Sequence, residues 1–278
     1  MSAASWPRLR LKRRRNLDEA WRSWLSACPG YVIIGLIYAP IVWLGLMSAT
    51  SEPLSGIPGD FTGAWYERLF QNTKWVDPLW LSILIAAVVG LASMVCATMV
   101  GRALPHMRGR GPVLFAVILP LFVPGVIMGT ALFMYFRSFM GLRLGYWSLG
   151  LGHFVWAFPF SLLAVLVMAS RFDTRLLDAA ADLGAGAWER FWHIEFPALR
   201  PGIIAAGLFG FLLSFNELSR SIYVGGRKTT LPLYAWAQAS SHTSNIPLIY
   251  ALNTLALVAS LILICGAFWA LFVRRERA

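Results

Sequence analysis

Six long apolar runs constrain this chain more than any other feature. They cover approximately Tyr31–Ser48, Trp80–Arg102, Pro112–Phe136, Trp147–Ala169, Gly202–Val224 and Leu248–Val273. A helix crossing the hydrocarbon core of a bilayer needs roughly 20 mostly apolar residues, and each run is close to that. A soluble helix of such length would carry charges along one face; these carry almost none. With 58% hydrophobic and 13% charged residues among 278, the expected fold is an all-α membrane protein of about six transmembrane helices.

The net charge of +11 would suggest nucleic acid in a soluble protein, but its distribution points to topology instead. Six crossings put both termini, Arg102–Arg110 and Arg171–Arg200 on one side, with 17 Lys and Arg against 7 on the other. Positive residues near span ends mark the cytoplasmic side, so both termini and the Asp173–Pro201 loop are expected there. The organisation expected is a basic N-terminal segment (1–29), a transmembrane domain (30–273, with a cytoplasmic loop over 170–201) and a short cytoplasmic tail (274–278). The basic segment, with Trp6, Trp21 and Trp24, reads either as lying on anionic lipid or as a solvated tail. Tyr31–Ser48 lacks a small-residue cleavage site and reads as an uncleaved signal anchor.

Little in the chain suggests chemistry on covalent bonds. Cys28, Cys96 and Cys265 lie in or beside apolar segments without metal-ligand spacing, and His106, His153, His193 and His242 are scattered, so no metal site is expected. Gly225–Thr230 (GGRKTT) lacks the phosphate-loop spacing, so the chain is not expected to hydrolyse ATP. Along the chain, Phe61–Phe70 reads as a short amphipathic piece. Asp77-Pro78 reads as a cap and first turn of the second span. Pro120 and Pro124, with Gly125 and Gly129, predict either a kink lining a pathway or ordinary packing in the third span.

The one polar interlude is Asp173–Pro201, DTRLLDAAADLGAGAWERFWHIEFPALRP. Asp173 is a natural N-cap for a helix over Thr174–Leu183, and Gly184 a natural stop. Leu176, Ala180 and Leu183 then share a face, with Asp178 and Asp182 on another. A second short helix near Ala187–His193 groups Trp188, Phe191 and Trp192 and leaves Glu189, Arg190 and His193 to water. Pro197 and Pro201 are expected to end the interlude and begin span five. Such an aromatic elbow reads either as a docking surface or as a helix lying on lipid.

The spacing Asp178-Ala179-Ala180, three residues, Gly184, nine residues, Ile194, one residue, Phe196-Pro197 resembles the Glu-Ala-Ala loop of ATP-binding-cassette importer permeases. Asp178 stands for the family's Glu and Phe196 for its Leu. The resemblance implies the type I importer permease fold, a multi-pass subunit of the bacterial inner membrane with no cofactor of its own. Its implied partners are a cytoplasmic ATPase dimer that holds ATP and Mg, a second permease subunit of a different sequence, an external solute-binding protein and membrane lipid, with no nucleic acid. Asp178, Ala179, Ala180, Gly184, Ala185, Trp188 and Arg190 are implied to couple to the ATPase. Span three (LPLFVPGVIMGTALF) and the stretch from span five onward (FLLSFNELSRSIYVGG, TLPLYAWAQ) are similar to spermidine/putrescine-type permeases, which implies a polyamine or related amine as solute. Gly125 stands where that subgroup often carries an acid.

Glu217 is the most informative residue within the runs. At 1.5 Å per residue from Gly202 it lies on the order of 22 Å into span five, and an intramembrane acid is a functional-site hypothesis by default. With Asn216 it reads as part of a solute path or gate, or else as a group neutralised by Arg220 one turn on. Readings from other classes are an intramembrane enzyme, which needs converging reactive groups, and a stand-alone ion-coupled carrier, which predicts repeats and several buried charges.

Overall fold

The computed structural model describes residues Leu17–Phe272; most of the basic N-terminal segment and the 274–278 tail lie outside the described residues. Among the described residues secondary structure is helical, apart from one isolated antiparallel bridge between Thr50 and Phe61. The chain divides into a unit ending at Thr62 and a second beginning at Gly63. The first holds α1 (Leu17–Ser48), in which Ala27–Ser48 is long and apolar enough to cross a membrane. The segment after it folds back, with Ser51 N–H donating to Asp60 C=O and Thr62 N–H to Ala49 C=O.

The second unit opens with α2 (Ala64–Gln71), the expected amphipathic helix beginning after Gly63. In α3 (Val76–Ala103) Pro78 occupies the first turn, where a missing N–H costs nothing. Asp77 also lies inside that turn instead of capping it, since no side chain caps this helix. The third run is broken. α4 (Arg110–Ile118) continues through a 3₁₀ turn to Phe122, α5 (Gly125–Phe133) continues through a π turn to Phe139, and the halves are bent by 101°. Pro124 disfavours helical geometry in the residue before it, and Val123 is extended, with φ −89° and ψ 122°.

The contacts of the broken pair along α6 (Tyr146–Ala169) show that it crosses and does not return. Leu114 and Val117 pack with Leu162 and Val165, near the end of α6. Leu132 lies beside Gly152, and Phe136 meets Trp147 edge-to-face at 4.8 Å, near its start. With this pair counted as one span, six spans result, as the composition predicts.

Beyond α6 come α7 (Arg175–Asp182), α8 (Ala187–Arg190), α9 (Phe196–Phe215), α10 (Ser221–Val224), α11 (Leu231–Ser241) and α12 (Ile246–Phe272). Span five differs from expectation at both ends. It starts earlier, because α8 runs through a π turn (Phe191–Glu195) into α9 as one helical stretch, Ala187–Phe215. Pro197 sits in the first turn of α9, where it interrupts nothing. The span also stops at Phe215 instead of running to Val224, leaving Asn216–Arg220 non-helical. The side chains there offer alternative partners to the backbone: Asn216 Nδ2 donates to Leu212 C=O, and Glu217 Oε1 accepts from Arg220 N–H.

Helices α3, α6 and α9 form the central triad, and small residues allow their close approach. Gly90, Ser93, Ala97 and Gly101 are buried on α3, as are Gly202, Ala206 and Gly210 on α9 and Ala157 and Ser161 on α6. A Cβ on Gly210 would stand 2.9 Å from Gly90 Cα and 2.9 Å from Ser93 Cβ, so the two backbones touch. Ser161 Oγ donates to Ala206 C=O at 2.8 Å. Overpacking costs about 1–3 kcal/mol, so Gly210→Val is expected to lower Tm by roughly 2–10 °C in a detergent thermal-shift assay. Gly150→Ala, where no atom lies within 4 Å, is expected to leave Tm unchanged.

Candidate coupling elbow and intramembrane cleft

At the elbow the N-cap of α7 is Thr174 and not the expected Asp173, because the helix begins one residue later; Asp173 Oδ1 still accepts from Arg175 N–H at 3.0 Å, one residue ahead of the cap. The helix closes at Leu183, and Gly184 takes φ +88°, a left-handed conformation in which only glycine is unstrained. Gly186 then caps α8, with its N–H donating to Glu189 Oε2 at 3.0 Å. Arg190 reaches back, Nη1 donating to Leu177 C=O at 3.3 Å, and ties α8 to α7. Glu189 and Arg190, expected to face only water, thus hold the elbow's shape, while His193 is exposed.

The face turned outward is apolar. Leu183 is 90% exposed and Trp188 72%, with Leu176 and Trp192 also exposed. Trp188, Phe191, Trp192 and Phe196 pack in series, with Trp188–Trp192 edge-to-face at 5.6 Å and Trp192–Phe196 tilted at 4.8 Å. Asp178, Ala179 and Asp182 are exposed beside this ridge; Ala180 and Ala185 are half-buried.

A pairing invisible in the sequence fastens the elbow. Arg102, in the last turn of α3, binds Glu195 in the π turn through two bonds of 2.6 and 2.7 Å, and its guanidinium lies 4.3 Å over the Phe191 ring. No local pattern announces this pair, because 93 residues separate its members.

At the other end of α9, Glu217 and Arg220 are 6% and 2% exposed and joined by Arg220 Nη1–Glu217 Oε2 at 2.8 Å. The Arg220 guanidinium lies 4.4 Å over the Trp156 ring. They border a cleft of about 330 Å³ with Val123, Pro124, Gly125 and Ser219, so the break in span three faces the break after α9. Trp156 lies ten residues into α6, about 15 Å below its start, which places the cleft inside the membrane. His153 bridges the break, with Nδ1 2.9 Å from Ser214 Oγ and Nε2 2.9 Å from Ser221 Oγ, while Ser221 Oγ donates to Glu217 C=O. Asn216 is exposed, and its amide serves Leu212 C=O. The cleft and the elbow are separate sites at opposite ends of α9. Among the described residues no cluster of His, Cys, Asp and Glu could hold a metal ion.

Comparison with known proteins gives the same architecture. Residues 94–277 match a family model described as the binding-protein-dependent transport system inner membrane component. The chain is 29% identical over 240 residues to the spermidine/putrescine transport system permease protein PotC of Haemophilus influenzae, covering 84% of this chain and 91% of that protein. It is 28% identical over 251 residues to the putrescine transport system permease protein PotI of Escherichia coli, covering 87% and 88%. A bacterial ABC transporter that imports the acidic polysaccharide alginate contains a chain of the same fold, with TM-score 0.66, 16% identity and coverage of 97% and 100%.

The Arg102–Glu195 pair is asymmetric, with Arg102 38% and Glu195 11% exposed at the side chain. Arg102→Ala strands a buried carboxylate, which costs about 3 kcal/mol or more, whereas Glu195→Ala leaves an arginine that water reaches. Arg102→Ala is therefore expected to lower Tm more than Glu195→Ala, by an amount that the same thermal-shift assay resolves.

Proposed function

Because the chain belongs to the family of binding-protein-dependent transport system inner membrane components, we propose that its elbow is the joint through which a separate ATPase drives solute import. The chain is a multi-pass transport subunit of the inner membrane. In this reading its elbow side and both termini are cytoplasmic, and an ATPase dimer receives the ridge at Trp188 and Leu183. ATP and Mg sit on that dimer, the chain itself catalyses no reaction, a second and different permease completes the path, and an external binding protein delivers the solute. The solute is a polyamine or related small organic amine, as the names of the spermidine/putrescine and putrescine relatives suggest. Asn216 and Glu217 belong to the solute path or its gate.

The observation that carries the coupling role is the exposed apolar ridge on an otherwise polar loop. Leu183 and Trp188 are far more exposed than a soluble surface explains. They stand on a scaffold held by Gly184, by the Arg190–Leu177 bond and by the Arg102–Glu195 pair. Asp178, Ala179, Ala180 and Ala185 line the same elbow. A ridge of this kind transmits a rigid-body displacement only if its backbone is stiff.

In cells making the complete transporter, Gly184→Val forces a β-branched side chain into the left-handed region, at about 1–2 kcal/mol, and is expected to abolish uptake. Trp188→Glu is expected to release the ATPase during purification in mild detergent. The proposal fails if the ATPase never accompanies the wild-type chain, or if both variants retain it and transport normally.

A further inference from the structure

Within the cleft, Glu217 and Arg220 neutralise each other, so among its described lining residues no free carboxylate remains for an ammonium group. Donors, in contrast, are left over. Of the Arg220 guanidinium, Nη1 donates to Glu217, while the buried Nε has no hydrogen-bond partner. Gly125 keeps the wall open beside the guanidinium: a Cβ there would stand 2.9 Å from Ser219 Cβ and 3.4 Å from Arg220 Nη1. About three helical turns along α5 and its π turn, Arg137, Arg143, Arg227 and Lys228 line a second cleft of about 700 Å³ at the side opposite the elbow. No carboxylate is among its described lining residues; Arg227 and Lys228 also line an adjoining cleft with Asp77 and Lys74, where the bases again outnumber the acid.

A pure polyammonium solute is badly matched to this arrangement. It would meet a basic mouth, whose field excludes cations. Taking Glu217 for one ammonium would leave Arg220 uncompensated in a low-dielectric site, the arrangement that buried pairs penalise most. A solute with one ammonium and one anionic group can exchange for the internal pair, its ammonium on Glu217 and its anion on Arg220, with every charge compensated. We propose that the amine carried by this subunit also bears an anionic group, which passes the basic mouth and is received by Arg220 in the cleft. This rests on the reading of the Glu217 cleft as part of the solute path.

Equilibrium binding to the detergent-purified complex of this chain with its partner permease and ATPase, without the binding protein, tests the proposal. The probes are radiolabelled δ-aminovalerate and cadaverine, which share a five-carbon chain and differ in a carboxylate against a second ammonium. δ-Aminovalerate is expected to bind at least about tenfold tighter, the scale of one charge-assisted hydrogen bond. The double variant Glu217→Gln with Arg220→Gln, which removes both charges together and so avoids stranding one, is expected to erase that preference while the ATPase still co-purifies. Equal or tighter binding of cadaverine that weakens in the double variant would retain the cleft as the path and overturn the anionic group. No binding of either probe, or affinities unchanged by the double variant, would overturn both.

Discussion

Lipid supplies no hydrogen bonds, so every backbone group inside the membrane must find a partner within the protein. This chain breaks two of its spans within that layer, and the rest of the site follows from how the breaks are satisfied. At the first, the turn before Pro124 closes through Val123 N–H to Pro120 C=O, and α5 restarts with Met128 N–H on Pro124 C=O. At the second, side chains do the work. The Glu217 carboxylate accepts from Arg220 N–H, the Ser221 hydroxyl donates to Glu217 C=O, and His153 holds Ser214 and Ser221 from the neighbouring helix. The polar residues that look like a site are thus also the residues that make a helix break tolerable there.

The triad of α3, α6 and α9 gives these breaks fixed positions. In a bilayer the tails are as apolar as leucine, so helices associate by close packing and not by hydrophobic burial. The touching backbones at Gly90 and Gly210 are that mechanism at its closest. One consequence concerns motion. Ala187–Phe215 is a single helical stretch of 29 residues, about 43 Å long at 1.5 Å per residue. It carries the elbow ridge at one end and the Asn216–Arg220 break at the other. A displacement at Trp188 therefore has a continuous rod along which to reach Glu217, and Arg102 clasps that rod to α3 just inside the elbow.

Much of this was legible in the sequence, because bilayer thickness makes apolar run length a direct reading of span number. The elbow was legible too, since Asp173, Gly184 and the aromatic spacing are local signals of caps and faces. What escaped was non-local or depended on competition. Arg102–Glu195 joins residues with no shared pattern. The continuation of α8 into α9 overrode Pro197, which reads as a helix boundary but fits equally in a first turn. The end of α9 at Phe215 lacks a glycine or proline to announce it, and arises from Asn216 and Glu217 competing for backbone groups.

The Glu217–Arg220 pair brings these strands together. A buried ion pair is weak evidence for stability, since well-packed apolar residues of similar volume commonly serve as well or better. Here Glu217 Oε1 also accepts the Arg220 N–H just before α10, and the Arg220 guanidinium lies over the Trp156 ring of α6. Both charges stand three residues apart at the end of the rod that begins at the elbow, opposite the bend at Pro124. The pair is closed on itself here, and the proposed solute path requires a second arrangement, opened onto a complementary ligand. Which one is more stable depends on where α9 stands relative to α5 and α6, and in the proposed coupling role that is the coordinate the elbow controls.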